Sequence, residues 1–206
     1  MRQLIVDYLP FEVGPDQINE AMKENNGKLV VKGVLQRADT KNQNGRVYPK
    51  EILMREIKKY QEGPINERRA LGELDHPESS VINLQNVSHN IKEVKVDGND
   101  VYGTVEILST PAGNVLKELF RNGITVGISS RGMGSVKENM SEGTVEVQED
   151  FELLCFDFVS TPSTHGAYMT PVGRALQEGK TQTYQYTKVN NIIRDIICDN
   201  TGMCKC

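Results

Sequence analysis

Residues 91–108 have the sequence IKEVKVDGNDVYGTVEIL, which predicts a β-hairpin. Residues 97–100, Asp-Gly-Asn-Asp, are typical of a tight turn, and β-branched residues are frequent on both sides of it. In the second strand Val101, Val105 and Ile107 alternate with polar residues, so they fall on one face. The pattern therefore indicates an antiparallel hairpin with one buried face.

Further strand patterns lie on both sides of the hairpin, at 29–35, 70–74, 124–130 and 144–160. Two helices are predicted among them. The first is expected to begin at Pro49 and to end near 63–64, because proline is favoured at the first helical position and Gly-Pro ends a helix. The second is expected between Thr110 and Gly123. Its predicted buried face consists of Val115, Leu116, Leu119 and Phe120.

These patterns predict an α+β domain with more strand than helix over residues 28–172. Residues 1–27 have no clear periodicity and are expected to form an extended or loosely attached arm, and residues 173–188 are polar and predicted to be a linker. Residues 189–206 follow as an amphipathic tail, whose helical spacing favours packing on its own domain or docking on a partner. Its apolar positions are Val189, Ile192, Ile193, Ile196 and Ile197.

Composition and charge argue against several classes of protein. The net charge is −4, and acidic and basic residues are interspersed along the sequence. The sequence therefore has no basic stripe of the kind that predicts nucleic-acid binding. No apolar run is long enough to predict a membrane span, and the acidic Asp7 comes too early for a signal peptide. Three of the four cysteines crowd the C-terminal end, which argues against a disulfide framework. We therefore expect a cytosolic globular protein.

The histidines are the first candidates for a catalytic base, because histidine is the usual base near neutral pH and the chain has only three of them. His76 follows a predicted strand and precedes Pro77, a position that is firmly held yet reaches solvent, although a surface histidine without a role fits the same pattern. His89 lies in an ordinary hairpin strand and is less favoured. His165, after Pro162, is an alternative partner for a catalytic base.

Residues 124–134 hold the candidate nucleophile. Strand alternation places Ser130 on the apolar face with Ile128, and it places Ser129 on the opposite, less bulky face with Gly127. This arrangement favours Ser129 as an accessible hydroxyl, with Gly127 leaving room for a substrate backbone. Arg131 and Gly132 could supply backbone N–H groups, and Arg131 a positive charge, to an oxyanion.

A third group should orient the imidazole. Asp157 lies between Phe156 and Phe158, where an unpaired charge would be costly, so it requires a partner such as His76. A structural aspartate that is hydrogen-bonded elsewhere fits the same observation, and His165 competes for the role.

Together these segments resemble the prohead core proteases of large tailed phages, the family related to herpesvirus assemblins. The matching motifs lie between about residues 30 and 172, at 44–49 (NGRVYP), 71–77 (LGELDHP), 99–103 (NDVYG) and 127–135 (GISSRGMGS). The resemblance implies a β-barrel-like, herpesvirus-protease-type core flanked by helices. It also implies a serine endopeptidase with Ser129 as nucleophile, His76 as base, Asp157 as third member and an oxyanion site near Arg131, without metal or organic cofactor.

The resemblance further implies a maturation role in the host cytoplasm, inside the immature prohead. The expected substrates are scaffold and core proteins, the major capsid protein and the protease itself, which could also self-associate. Cleavage is expected after glutamate with an aliphatic residue two positions earlier, so Leu176 and Glu178 predict self-cleavage after Glu178 and release of the tail.

Two alternatives stay open at this point. A non-catalytic assembly protein that binds capsid or scaffold would explain the arm and the tail without chemistry. A metal-dependent hydrolase could use Glu73, Asp75 and His76, although these residues are too close in sequence for one strand to present all three side chains to one ion.

Overall fold

A computed structural model describes residues 15–77, 79–140 and 143–173. Within these ranges the helices are α1 (Pro15–Glu24), α2 (Lys50–Tyr60) and α3 (Pro111–Arg121). The strands are β1 (Leu29–Arg37), β2 (Arg46–Val47), β3 (Leu71–Glu73), β4 (Val87–Asp97), β5 (Asp100–Ile107), β6 (Gly127–Met133), β7 (Val136–Asn139), β8 (Thr144–Val147), β9 (Glu152–Val159) and β10 (Thr170–Pro171). The predicted α+β class is confirmed.

The largest sheet has five strands in the order β10-β1-β5-β4-β3, and all of its neighbours are antiparallel. Its centre is the predicted hairpin, formed by β4 and β5, in which Asp97 pairs with Asp100 around the turn. Gly98 has a φ of +62° at the first turn position, a conformation that glycine adopts without steric cost. Val101 and Val105 are fully buried and Ile107 nearly so, which confirms the predicted face.

The strands do not form one continuous closed barrel within the described residues. β6 and β9 make a two-stranded sheet, and β2, β8 and β7 make a three-stranded one. Isolated bridges connect the two-stranded sheet to residues near both ends of the five-stranded sheet, between Leu74 and Phe158 and between Gly127 and Tyr168. The predicted barrel is therefore present only as separate sheets that meet at single bridges.

The two predicted helices are present with corrected boundaries and faces. Pro49 is the residue before α2 rather than its first residue, and α2 ends in a π-helical turn at Gln61–Ile65. In α3 the buried face contains Leu116, Phe120 and the predominantly aliphatic Lys117 side chain, whereas Val115 is 53% exposed. The prediction for Val115 was wrong because the buried face of α3 runs through Leu116 and Phe120, which are four residues apart. Val115 lies one position before Leu116 and therefore points away from that face.

Part of the predicted N-terminal arm is a packed helix instead. In α1, Ile18 and Ala21 are buried in the core at a spacing of three residues, the spacing of one helix face. Gly173 lies against α1, because a Cβ at Gly173 would be 2.5 Å from the Cβ of Ala21. The predicted linker beyond residue 173 and the tail at 189–206 lie outside the described residues.

β6 begins later than predicted. The backbone N–H of Ile124 donates to the carbonyl of Leu119 at 2.9 Å, which ties residue 124 to the end of α3. The strand consequently starts at Gly127 and extends to Met133. No helix among the described residues has the length and apolar character required to cross a bilayer.

Close packing of β3 on β9 depends on Gly72. A Cβ at Gly72 would lie 2.0 Å from the carbonyl oxygen of Phe156 and 2.4 Å from the His89 ring. His89 is fully buried, its Nε2–H donates to the Phe156 carbonyl at 2.9 Å, and its Nδ1 accepts from Ser88 Oγ at 2.9 Å. Burial lowers the pKa of His89 from 6.5 to about 4, so this histidine is a neutral structural residue.

Acidification is expected to destabilise the fold through His89. Because its folded pKa lies below its unfolded value, its contribution to stability is complete above pH 6.5 and is lost as the pH falls towards 4. Urea unfolding from pH 7 to pH 5 in a Ser129→Ala background should lose about 2 kcal/mol through this residue.

The matched comparison is between His89→Gln and His165→Gln, because His165 is exposed. His89→Gln should remove this part of the pH dependence, whatever it does to absolute stability, whereas His165→Gln should retain it. An unchanged pH dependence in His89→Gln would contradict the assignment.

Candidate active site

Pairing between β6 and β9 brings two of the predicted residues together. Ser129 lies opposite Asp157, and Arg131 lies opposite Cys155. Paired residues of an antiparallel sheet project to the same face, so all four side chains share one face. The other face carries Ile128, Phe156 and Phe158 into the core, where each is 0% exposed. Alternation thus explains how a carboxylate lies within an apolar stretch.

His76 reaches this face from the end of β3. Leu74 forms a parallel bridge with Phe158, and the backbone N–H of Asp75 donates to the Phe158 carbonyl at 2.8 Å. Asp75 has a φ of +70°, which turns the chain immediately before His76. The resulting distance between His76 Nδ1 and Asp157 Oδ2 is 2.7 Å. The structure therefore places Asp157 on the imidazole nitrogen that an orienting carboxylate would contact.

Ser129 and His76 line one polar cavity of about 330 Å³. The cavity is also lined by Ser130, by Asp75 and by residues of the segments 43–48 and 159–163. Ser129 Oγ lies 3.0 Å from Ser163 Oγ, and among the described residues no hydrogen bond joins Ser129 to His76. Catalytic hydrogen bonds are often long before substrate binds. The hydroxyl and the imidazole therefore line the same cavity without a hydrogen bond between them.

Asp157 is fully buried and held by several donors. Its Oδ1 accepts from the backbone N–H of Glu73 at 3.0 Å and from Arg131 Nη2 at 3.2 Å. Burial alone would raise the pKa of Asp157, but the hydrogen bonds from His76 and Glu73 and the charge of Arg131 lower it below its ordinary value. The carboxylate is therefore ionised at neutral pH and can stabilise a positive charge on His76.

Arg131 lies behind Asp157 and does not line the cavity. Its Nε is 2.9 Å from Asp157 Oδ2, its Nη2 donates to Glu73 Oε1 at 2.9 Å, and its Nη1 donates to the Ser79 carbonyl at 2.6 Å. Its side chain is 8% exposed. The guanidinium thus belongs to a buried charge network with Asp157 and Glu73.

Gly132 and Gly127 have packing roles. A Cβ at Gly132 would be 2.5 Å from the Phe151 ring, so the missing side chain admits that ring. At Gly127 a Cβ would be 2.5 Å from Pro162 Cγ. The prediction that Gly127 leaves room for a substrate backbone was therefore wrong, because Pro162 fills that space.

The two adjacent serines have different surroundings. Ser130 Oγ accepts from Gln36 Nε2 at 2.9 Å, and Gln36 is buried, so this hydroxyl has an internal partner. Among the described residues, Ser129 Oγ is hydrogen-bonded only to Ser163 Oγ. These contacts agree with the alternation on which Ser129 was preferred over Ser130.

Of the remaining predicted residues, Asp75 lines the cavity, whereas His165 and Glu73 do not. His165 is exposed and does not line the cavity. Glu73 points into the buried network, whereas Asp75 accepts from the backbone N–H of His76 at 2.9 Å. No group of three metal-ligating side chains occurs among the described residues. Glu178 lies outside them.

Sequence reasoning missed Ser163 and Arg46 as residues around the cavity. Ser163 follows the predicted strand at 144–160 in a Thr-Pro-Ser sequence, and no local pattern there indicates a site. Arg46 stood within the 44–49 motif, but its side chain was given no role because nothing local to that loop indicates that it faces His76.

Comparisons with known proteins identify the family of this chain. The chain matches the family described as "Prohead core protein serine protease" over residues 5–179. It is 33% identical over 170 residues to the prohead core protein protease of Enterobacteria phage T4, covering 81% of this chain and 78% of that protein. The solved structure of the bacteriophage T4 capsid assembly protease, gp21, has a TM-score of 0.61 and 34% identity, over 64% of this chain and 81% of that one. The chain therefore belongs to the prohead core protein serine proteases.

Proposed function

We propose that this serine protease is an endopeptidase in which Ser129 is the nucleophile, His76 the general base and Asp157 the group that orients His76. The observation that carries the proposal is the 2.7 Å contact between His76 Nδ1 and Asp157 Oδ2 beside a cavity that Ser129 also lines. This contact leaves His76 Nε2 as the nitrogen that accepts a proton.

The reaction would proceed by acyl transfer. Ser129 Oγ attacks the scissile carbonyl carbon while His76 Nε2 takes the hydroxyl proton, and the ionised Asp157 stabilises the imidazolium. Collapse of the tetrahedral intermediate transfers that proton to the leaving amine and forms an ester on Ser129. Water then attacks the ester with His76 again as base, which releases the acid and restores Ser129.

The oxyanion requires N–H donors near Ser129. The guanidinium of Arg131 is engaged by Asp157, Glu73 and Ser79, and its backbone N–H lies on the edge of β6 that pairs with β9. The predicted oxyanion role is therefore proposed for the backbone N–H of Gly132. Ser130 is a further donor. The N–H of Ile128 donates to the Ala167 carbonyl, and the next N–H on that edge of β6 belongs to Ser130, which lines the cavity.

We propose that the separate sheets act together as a barrel-like scaffold for the site. The bridge at Leu74 carries the end of β3 to β9, and the bridge at Gly127 carries β6 to Tyr168. Because β9 pairs with β6, the bridge at Leu74 joins the segment that bears His76 to the strand that bears Ser129.

The proposed biological role is capsid maturation in the host cytoplasm, inside the prohead. The T4 relatives are named a prohead core protein protease and a capsid assembly protease, which supports scaffold and core proteins, capsid protein and the protease itself as substrates. We propose cleavage after glutamate, including self-cleavage between Glu178 and Gly179 that releases residues 179–206.

One experiment tests both the nucleophile and the self-cleavage. Wild-type protein is incubated with or without a serine-directed phosphonate, digested and mapped by mass spectrometry. The phosphonate should modify Ser129, because that hydroxyl faces the cavity and lies beside the proposed base. Without the phosphonate, a new C-terminus should accumulate at Glu178.

The control is Ser130→Ala, which removes the neighbouring hydroxyl and should still be modified at Ser129. Modification of another serine would exclude the proposed nucleophile. An intact C-terminus in protein that still cleaves a substrate peptide would exclude self-cleavage after Glu178 and leave the nucleophile assignment standing.

A further inference from the structure

Arg46 places a cationic side chain beside the nucleophile. It lines the cavity that contains Ser129 and His76, its side chain is exposed, and it forms no ion pair or side-chain hydrogen bond with the described residues. Most arginines elsewhere in the described part of the chain have a carboxylate partner, such as Asp100 for Arg37. An unpaired guanidinium in a concave polar site is suited to bind an anionic group of a ligand.

The backbone of Arg46 is held firmly relative to the nucleophile. Its N–H donates to Asn42 Oδ1 at 2.9 Å, and its carbonyl accepts from the Asn42 N–H at 2.9 Å. Arg46 also pairs with Val145 in the neighbouring strand β8. The N–H of Gln43 donates to the Ser163 carbonyl at 2.9 Å, and Ser163 Oγ lies 3.0 Å from Ser129 Oγ. The loop that carries Arg46 is therefore connected through Ser163 to the strand that carries Ser129.

The other charges near the site are already engaged. Arg131 is buried against Asp157 and Glu73 on the far side of the imidazole. Asp75 is the other charged residue of the cavity lining besides His76, and its carboxylate accepts from the backbone N–H of His76. Among the described lining residues, Arg46 is thus the permanent cation available to a bound substrate.

We infer that Arg46 binds the carboxylate of the substrate residue that precedes the scissile bond and so determines cleavage after glutamate. The inference rests on the proposed function, because it assigns a residue to the proposed glutamate preference. Arginine can donate two parallel N–H bonds to a carboxylate, and substrate in the cavity would displace the water that screens an exposed pair. Glutamine has the same shape without the charge, so the ratio of glutamate to glutamine cleavage measures this contact.

The test uses the full-length protein and two peptides that differ only in glutamate or glutamine before the scissile bond. Arg46→Ala should lower kcat/KM for the glutamate peptide by about 10- to 100-fold and change the glutamine peptide by less than about threefold. Arg46→Lys should restore part of the preference. Lys50→Ala, which removes an exposed cation outside the cavity, should leave both peptides unchanged.

Phosphonate labelling of Ser129 in each variant separates the failures. Normal labelling together with selective loss of the glutamate peptide supports the inference. Normal labelling with equal loss of both peptides would overturn it and leave the glutamate preference standing. A wild-type enzyme that does not distinguish the peptides would overturn the glutamate preference and the role of Arg46 together, while labelled Ser129 would still support the nucleophile. Slower labelling in Arg46→Ala would show a structural role and also overturn the inference.

Discussion

Replacing Ser129 by alanine is expected to lower the turnover number for peptide cleavage by about four to six orders of magnitude. The hydroxyl is the group that would form the acyl-enzyme, and Ser129 lines the cavity at the strand position opposite Asp157. The measurement is single-turnover cleavage of a glutamate peptide, together with the rate at which the full-length chain shortens at its C-terminus. Both should fall to background.

The fold should survive this change. Ser129 Oγ has one hydrogen-bond partner among the described residues, Ser163, so its removal is expected to cost about 1 kcal/mol in the free energy of unfolding. Ser163→Ala is the matched control, because it removes the other half of the same contact and should retain most activity. Comparable cleavage by Ser129→Ala and wild type would exclude Ser129 as the nucleophile and assign the attack to another group.

Replacing Asp157 by asparagine is expected to lower the turnover number by about 10³- to 10⁴-fold. Asparagine keeps the size of the side chain and an acceptor for the Glu73 N–H, but it removes the charge that stabilises imidazolium. It also allows the amide to donate to His76 Nδ1, which would favour the wrong tautomer. The measurement is kcat against pH for the same glutamate peptide.

Asp75→Asn is the matched control for this prediction. It makes the same chemical change one residue from His76, at a φ of +70° that asparagine tolerates, and its carboxylate contacts the backbone of His76 rather than the ring. It should retain most activity and an unchanged pH profile. Equal losses in Asp75→Asn and Asp157→Asn would argue against a specific role for Asp157, and a larger loss in His165→Ala would transfer that role to His165.

The loss of charge at Asp157 should also destabilise the protein. Within this buried network, Arg131 would then keep only Glu73 as a carboxylate partner among the described residues. Removing one member of a buried charge network is expected to cost a few kcal/mol, so thermal unfolding should be followed alongside activity. A stability loss without a turnover loss would assign Asp157 a structural role only.

Local patterns predicted those elements in which neighbouring residues alone decide the conformation. The hairpin at β4 and β5 follows from alternation and from Gly98, and the start of α3 follows from Thr110, whose Oγ accepts from the Gly113 N–H. The preference for Ser129 over Ser130 has the same origin, because side-chain direction in a strand depends only on position parity.

Errors occurred where a distant element set the outcome. Val115 was expected inside, but packing of α3 leaves it exposed. Gly127 was expected to face substrate, but Pro162, thirty-five positions later in the chain, covers it. Arg131 was expected to contribute positive charge to the oxyanion, but its guanidinium binds Glu73 and Asp157 from two other strands.

Residue types, periodicities and motifs within short segments were sufficient to predict the α+β class, the hairpin and the candidate nucleophile and base. Three features became apparent only in three dimensions: His76 contacts Asp157 rather than His165, Arg131 faces inward, and Arg46 lines the cavity. These three facts depend on pairing between residues that are far apart in the chain, such as β6 with β9 and Leu74 with Phe158. Local patterns specify the direction of a side chain but not the partner that a distant segment brings to it.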